Sequence, residues 1–265
     1  MKMIAINDPN DPRINAFRDI RERDLTGREG LFVAEGTVVL RVLASAASRC
    51  RAEAVLIDSR RVEAHAEILS RFDSGVPVYV GSQSVIDGVA GFHLHRGVLA
   101  LGRRPEPLGL EALDGAQTVV VACGIGNHDN MGGIFRNAAA FGADAVVLDE
   151  RCCDPFYRKA IRVSVGAVLR TPIVAGGEAS ALVDRLMGQG FDVVAMTPGA
   201  SEPLHRAVRE GRTAILLGSE GPGLPAEVIA RCRAVSIPMS GGFDSLNVAT
   251  TAALALNHFT REAAA

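Results

Sequence analysis

Apolar positions along this chain follow two periods that alternate. Residues 117–122 (QTVVVA), 144–148, 191–197, 214–217 and 234–237 are short runs rich in Val, Ile and Leu. That is the pattern of strands buried on both faces. Residues 131–141, 182–187 and 246–259 instead space their apolar side chains at helical intervals, and a further helix starts at Pro225. In the last of these, Leu246, Val248, Ala249, Ala252, Ala253, Leu256 and Phe259 recur at roughly helical spacing. Asp244 or Ser245 is expected to cap it, since a short side-chain oxygen satisfies the free N–H groups of a helix start.

The earlier half repeats the alternation in smaller pieces. Strands are expected at 29–36, 54–57, 76–80 and 97–101, and helices at 37–48, 62–72 and 85–89. A first helix is expected over 13–28, with Ile14, Phe17 and Ile20 inward and a mixture of arginines and acids outward. Strand–helix alternation of this kind predicts an α/β fold. Gly102, Arg103, Arg104, Pro105, Glu106 and Pro107 suit neither a strand nor a helix interior. The chain therefore reads as a small α/β domain over 1–102, a linker over 103–115 and a second α/β domain over 116–265.

Composition narrows the class without naming a function. A 48% hydrophobic and 22% charged chain of 265 residues is that of a globular protein with a substantial core. No apolar run approaches the ~20 residues needed to span a bilayer, and the start MKMIAINDPNDPR is not a secretory signal. Cytoplasmic residence is expected. Five cysteines without a C-x-x-C pair give no support to a metal site or disulfide framework, so no metal is expected. A formal charge of −2 argues against wholesale coating of nucleic acid but leaves room for a local basic patch. Lys2 and Lys159 are the only lysines; the remaining cations are arginines, which suit planar phosphate recognition but also reflect genome composition.

Three loops carry the candidate chemistry. Gly124-x-Gly126 follows a buried strand, but a dinucleotide fingerprint needs its third glycine where Asp129 stands. The fuller string Asn127 to Gly142, N-H-D-N-M-G-G-I-F-R-N-A-A-A-F-G, resembles the first signature of the SpoU (TrmH-like) RNA ribose methyltransferases of the SPOUT superfamily. Gly218 to Leu224, G-S-E-G-P-G-L, resembles the second, and Ile237 to Val248, I-P-M-S-G-G-F-D-S-L-N-V, the third. Arg162 to Ala167 also resembles the family's R-x-S-x-G-A segment. His128 stands where the family more often has proline and Gly133 where alanine is commoner. The first hundred residues resemble the RNA-binding domain found ahead of many SpoU catalytic domains.

The resemblance implies a parallel-sheet catalytic domain closed by a deep trefoil knot, an exception to the rule against knots. It implies S-adenosylmethionine as cofactor, surrounded by Gly218, Glu220, Gly221, Ile237, Met239 and Leu246. Asn130, Arg136, Glu220, Ser245 and Asn247 are the implied catalytic residues, in a site formed by a homodimer. An arginine side chain is a poor proton acceptor, so positioning suits Arg136 better than base catalysis. Arg18, Arg21, Arg28 and Arg96 are the implied RNA contacts. The expected activity is methylation of a ribose 2′-hydroxyl, in large-subunit ribosomal RNA more than in tRNA. The alternatives are a tRNA 2′-O-methyltransferase and a non-catalytic RNA-binding protein of ribosome assembly.

Overall fold

The computed structural model describes residues 2–18, 30–91, 93–94, 96–241 and 244–261. Its contacts divide the chain into two compact units. The first comprises Met1–Pro105 and Phe156–Arg170; the second comprises Glu106–Pro155 and Thr171–Ala265.

The first unit is built on a five-stranded mixed sheet. Its strands are β1 (Lys2–Ala5), β2 (Leu31–Glu35), β3 (Arg51–Asp58), β4 (Pro77–Gly81) and β5 (Val98–Arg103), in the order β1-β4-β3-β5-β2. β4 runs parallel to both its neighbours, and β5 runs antiparallel to both of its own. Helices α1 (Thr37–Leu43), α2 (Ala66–Leu69) and α3 (Gln83–Ala90) connect them. α3 shows why its sequence is helical. Ser82 accepts from the Val85 N–H at one end, Gly91 closes the other at φ 73°, and Val85, Ile86, Val89 and Ala90 are buried between.

Three helices differ from the expectation; the one read over 37–48 ends at Leu43, with Ala44 as its C-cap. Over 13–28, Ile14 and Phe17 are buried as read, but they lie in a 3-10 helix, Pro12–Phe17, capped by Asp11. Residues 19–29, with Arg21 and Arg28, lie outside the described residues. The 62–72 helix is broken into short 3-10 turns followed by α2. There His65 turns inward, its ring bonded to Arg61 O at 2.8 Å and Thr37 Oγ1 at 2.9 Å.

The second unit is a seven-stranded parallel sheet. Along the chain run β6 (Thr118–Ala122), α4 (His128–Ala140) and β7 (Ala145–Asp149). The chain then contributes α5 (Arg158–Val163) to the first unit and returns. It continues with β8 (Ile173–Gly177), α6 (Ala179–Gly188), β9 (Asp192–Met196), β10 (Glu202–Pro203), β11 (Thr213–Leu217), α7 (Ala226–Ile229), β12 (Arg233–Ser236) and α8 (Val248–Arg261). The strand order is β10-β12-β9-β11-β6-β7-β8, parallel at every pairing. Central β6 and β11 are buried at every residue, as their β-branched and aliphatic runs require.

Residues 156–170 follow contacts that sequence periodicity does not report. Phe156 meets Phe32 with ring centroids 5.4 Å apart, and Arg158 pairs with Glu35 at 2.8 Å. The Arg49 N–H donates to Leu169 O at 2.8 Å. Gly166, at φ 85°, adopts a turn in which a Cβ would lie 3.1 Å from that of Val42. A single boundary in the 103–115 stretch therefore does not describe the packing, because the first unit takes this later segment as well.

Candidate active site

The three signature loops follow strands β6, β11 and β12, and each has a local reason for its shape. After β6, Gly124 turns at φ 66° and donates its N–H to Asp149 Oδ1 at 2.9 Å. Asn127 then caps α4, accepting from the N–H groups of Asp129 and Asn130 at 2.8 and 3.3 Å. The helix starts at His128, earlier than the apolar pattern indicates, because this cap sits ahead of the first apolar residue. After β11, the loop folds back on itself through a bridge between Ser219 and Gly223. A Cβ at Gly218 would lie 2.5 Å from the Leu224 nitrogen, so only glycine fits there.

The start of α8 corrects the expected cap. Asn247, not Asp244 or Ser245, receives the free N–H groups: its Oδ1 accepts from Ala249 at 2.9 Å and Thr250 at 3.3 Å. Its amide group is thereby oriented, with Nδ2 directed to Asn130 Oδ1 at 2.8 Å. Asn130 is buried and its own Nδ2 donates to Glu220 Oε1. Donors and acceptors run in one direction from the helix backbone through two amides to the carboxylate. Neither Asn can flip without leaving an unmatched pair.

α4 and α8 touch closely beneath this chain. A Cβ at Gly133 would come within 2.6 Å of the Ala249 Cβ, and Asn137 Nδ2 donates to Ala249 O at 2.6 Å. Gly133→Ala is therefore expected to destabilise the fold by about 1–3 kcal/mol through overpacking, despite its better helix propensity. Urea unfolding checks this, and a variant as stable as the parent contradicts it.

A cavity of about 640 Å³ opens where the carboxyl ends of β9, β11 and β12 lie side by side. Ligands of open α/β sheets bind at this end of the strands. Gly218, Glu220, Gly221, Ile237, Met239, Ser245, Leu246 and Asn247 all line it. Asn130 stands behind the lining through its bond to Glu220. Arg136 does not line the cavity; it is exposed on α4, with no hydrogen bond or ion pair among the described residues. Met196, Thr197 and Pro198 also line the cavity and escaped the sequence reading. Met196 ends β9 and the other two follow it, and only the strand order reveals that β9 lies beside β11.

Residues 117–257 match the profile of the SpoU rRNA Methylase family. The chain belongs to the SpoU family. As a member it is an RNA methyltransferase. Asn130, Glu220 and Asn247, joined by hydrogen bonds at the cavity wall, come one from each of the three loops that resemble SpoU signatures. Among similar proteins, an uncharacterized tRNA/rRNA methyltransferase of Mycobacterium bovis is 43% identical, covering 96% of this chain and 90% of its own. A crystal structure titled RNA 2′-O ribose methyltransferase superposes with a TM-score of 0.79 at 27% identity, covering 99% of this chain and 100% of that one. An AdoMet-bound rRNA methyltransferase of Sinorhizobium meliloti shares the fold, with a TM-score of 0.82, 22% identity and 98% of both chains covered.

The arginines assigned to RNA stand in different surroundings. Arg18 spends its fork on the chain itself, donating to Asn10 Oδ1 at 2.7 Å, Pro9 O at 2.8 Å and Asn15 Oδ1 at 3.2 Å. Arg96 is exposed and lies over Gly36, where a Cβ would approach its side chain within 2.6 Å. Arg21 and Arg28 lie outside the described residues. No cluster of His, Cys, Asp or Glu that could hold a metal ion occurs among the described residues, and no helix there is long and apolar enough to cross a membrane. Burial pushes the thiols of Cys50 and Cys123 up to about 12, which leaves little thiolate for chemistry.

Proposed function

We propose that this SpoU protein transfers the methyl group of S-adenosylmethionine to a ribose 2′-hydroxyl in structured RNA, with large-subunit ribosomal RNA as the substrate. The observation that carries the reading is the hydrogen-bond chain from α8 through Asn247 and Asn130 to Glu220, at the wall of the cavity. The 27% identical neighbour named as an RNA 2′-O ribose methyltransferase supports the ribose as acceptor.

The cavity's chemistry suits the cofactor. Its volume lies in the ~300–1,000 Å³ range of small-ligand sites. Leu217, Ile237, Met239 and Leu246 supply apolar walls for a flat heterocycle, and the glycines of the β11 loop expose backbone groups to polar edges. Glu220 and Asp244 bring negative charge, which suits a sulfonium. The bound cofactor supplies an electrophilic methyl group. The residues of the chain align the hydroxyl behind that methyl and ease loss of its proton.

Arg136 is assigned the positioning of the acceptor. Its guanidinium engages the ribose hydroxyl and an adjoining phosphate, with Ser245 and the fixed Glu220 ordering the approach. It is exposed and does not line its own chain's cavity, which supports a homodimer in which it serves the second copy. Arg96 and the first unit are assigned to RNA affinity, and the protein to the cytoplasm, where such RNA is made.

The acceptor atom gives the test. RNA methylated with tritiated cofactor is mapped by its alkali-resistant linkage, and the target nucleotide alone is then replaced by its 2′-deoxy form. Product is expected to vanish while binding hardly changes, because most contacts lie elsewhere along the RNA. Incorporation into the 2′-deoxy substrate at a similar rate would mean that a base, not the ribose, is methylated.

A further inference from the structure

Because Asn247 caps α8, the acid three residues before it is free for another role. Asp244 is exposed to the cavity. Its Oδ1 accepts from the Ser245 hydroxyl at 3.3 Å, the single hydrogen bond of its side chain among the described residues. Glu220 and Asp244 are the acidic residues of the described lining, which contains no Lys, Arg or His. The lining thus carries a formal charge of −2 with no internal counter-charge. The two carboxylates are not equivalent. Glu220 receives the Asn130 amide and is held in the hydrogen-bond chain, whereas Asp244 has, among the described residues, only a neutral hydroxyl as hydrogen-bond partner.

A pocket of this charge separates two ligands of nearly equal shape. The methyl donor carries a sulfonium; the thioether left after transfer has the same heterocycle, sugar and amino-acid tail but one positive charge fewer. We infer that Asp244 is the specificity-determining residue of the cofactor site, favouring the sulfonium donor over the spent thioether and so promoting product exchange. This rests on the cofactor reading above. It concerns discrimination between ligands and assigns Asp244 no part in the proton's departure. An acid that gripped the ammonium of the amino-acid tail would hold both ligands alike, so the two roles give different results.

The experiment is isothermal titration of the full chain with S-adenosylmethionine and with S-adenosylhomocysteine. The parent is expected to favour the donor by ~10-fold at low salt, the scale of one partly screened charge contact. In Asp244→Asn the ratio is expected to fall to within ~2-fold, by weaker donor binding with the thioether unchanged. Added salt should compress the parent's ratio and leave the variant's flat, since exposed charges are screened. Asp244→Glu should restore part of the preference, and matching thermal unfolding curves confirm that the variants are folded. Equal affinities in the parent, or parallel loss of both ligands in Asp244→Asn, would overturn the assignment. If neither ligand binds the parent, the cofactor reading itself fails and this inference falls with it.

Discussion

Arg136→Ala is expected to slow single-turnover methyl transfer by ~100-fold or more, the usual effect of removing one donor aimed at developing charge. Cofactor affinity should stay within a few-fold, because Arg136 does not line the cavity. Arg136→Lys is expected to fail as well, since an ammonium lacks the planar fork that spans a hydroxyl and a phosphate. The exposure of Arg136 makes the test sharper. If it serves a second copy, co-expressing Arg136→Ala with Glu220→Ala creates mixed dimers holding one intact combination. Random pairing should then restore about a quarter of parental activity from two inactive chains. A co-expressed mixture that stays inactive rejects service across copies, and loss of cofactor binding in Arg136→Ala rejects the positioning role.

Asn130→Asp should have the second-largest effect, on stability as well as rate. The substitution keeps the shape of the side chain but replaces the group that donates to Glu220 with an oxygen. A buried carboxylate would then face another carboxylate. Burial and like charge both raise the folded-state pKa of the new acid above its unfolded value of about 3.9. The sign follows: the penalty is full above the raised folded-state pKa and fades as pH falls toward the unfolded value. A loss of about 3 kcal/mol is expected at pH 7, shrinking markedly near pH 4. Asn130→Ala, which adds no charge, should show a loss much less dependent on pH. Urea unfolding at both pH values decides it, and equal gaps for Asn130→Asp at the two values refute the account.

The sheet of the second unit was legible where burial is complete. β6 and β11 lie between neighbours on both sides, so every residue is apolar or small and the run announces itself. β1, β8 and β10 were not read, and all three are edge strands. Their residues are partly exposed, and two successive glycines end β8, so neither period appears. The helix caps show a different limit. Asp244, Ser245 and Asn247 are all competent caps, and local preference cannot rank them. The choice falls to Asn247, whose other amide end meets Asn130, 117 residues away in sequence. The cavity divides the same way. Its residues from the β11 and β12 loops carry a signature, whereas those at the end of β9 and just after it owe their place to strand order alone.

Completion of the first unit by Phe156–Arg170 bears on how the protein is made. Domains emerging from a ribosome ordinarily fold as units, the N-terminal one first. Here a nascent chain that has delivered everything up to Pro105 still lacks the partner ring for Phe32 and the guanidinium for Glu35. Before those arrive, β6, α4 and β7 of the other unit have already been synthesised. The two units are therefore obliged to mature on overlapping schedules. For the same reason, exchanging the first unit between relatives requires grafting two segments, one of them cut from inside the stretch that carries the SpoU signatures.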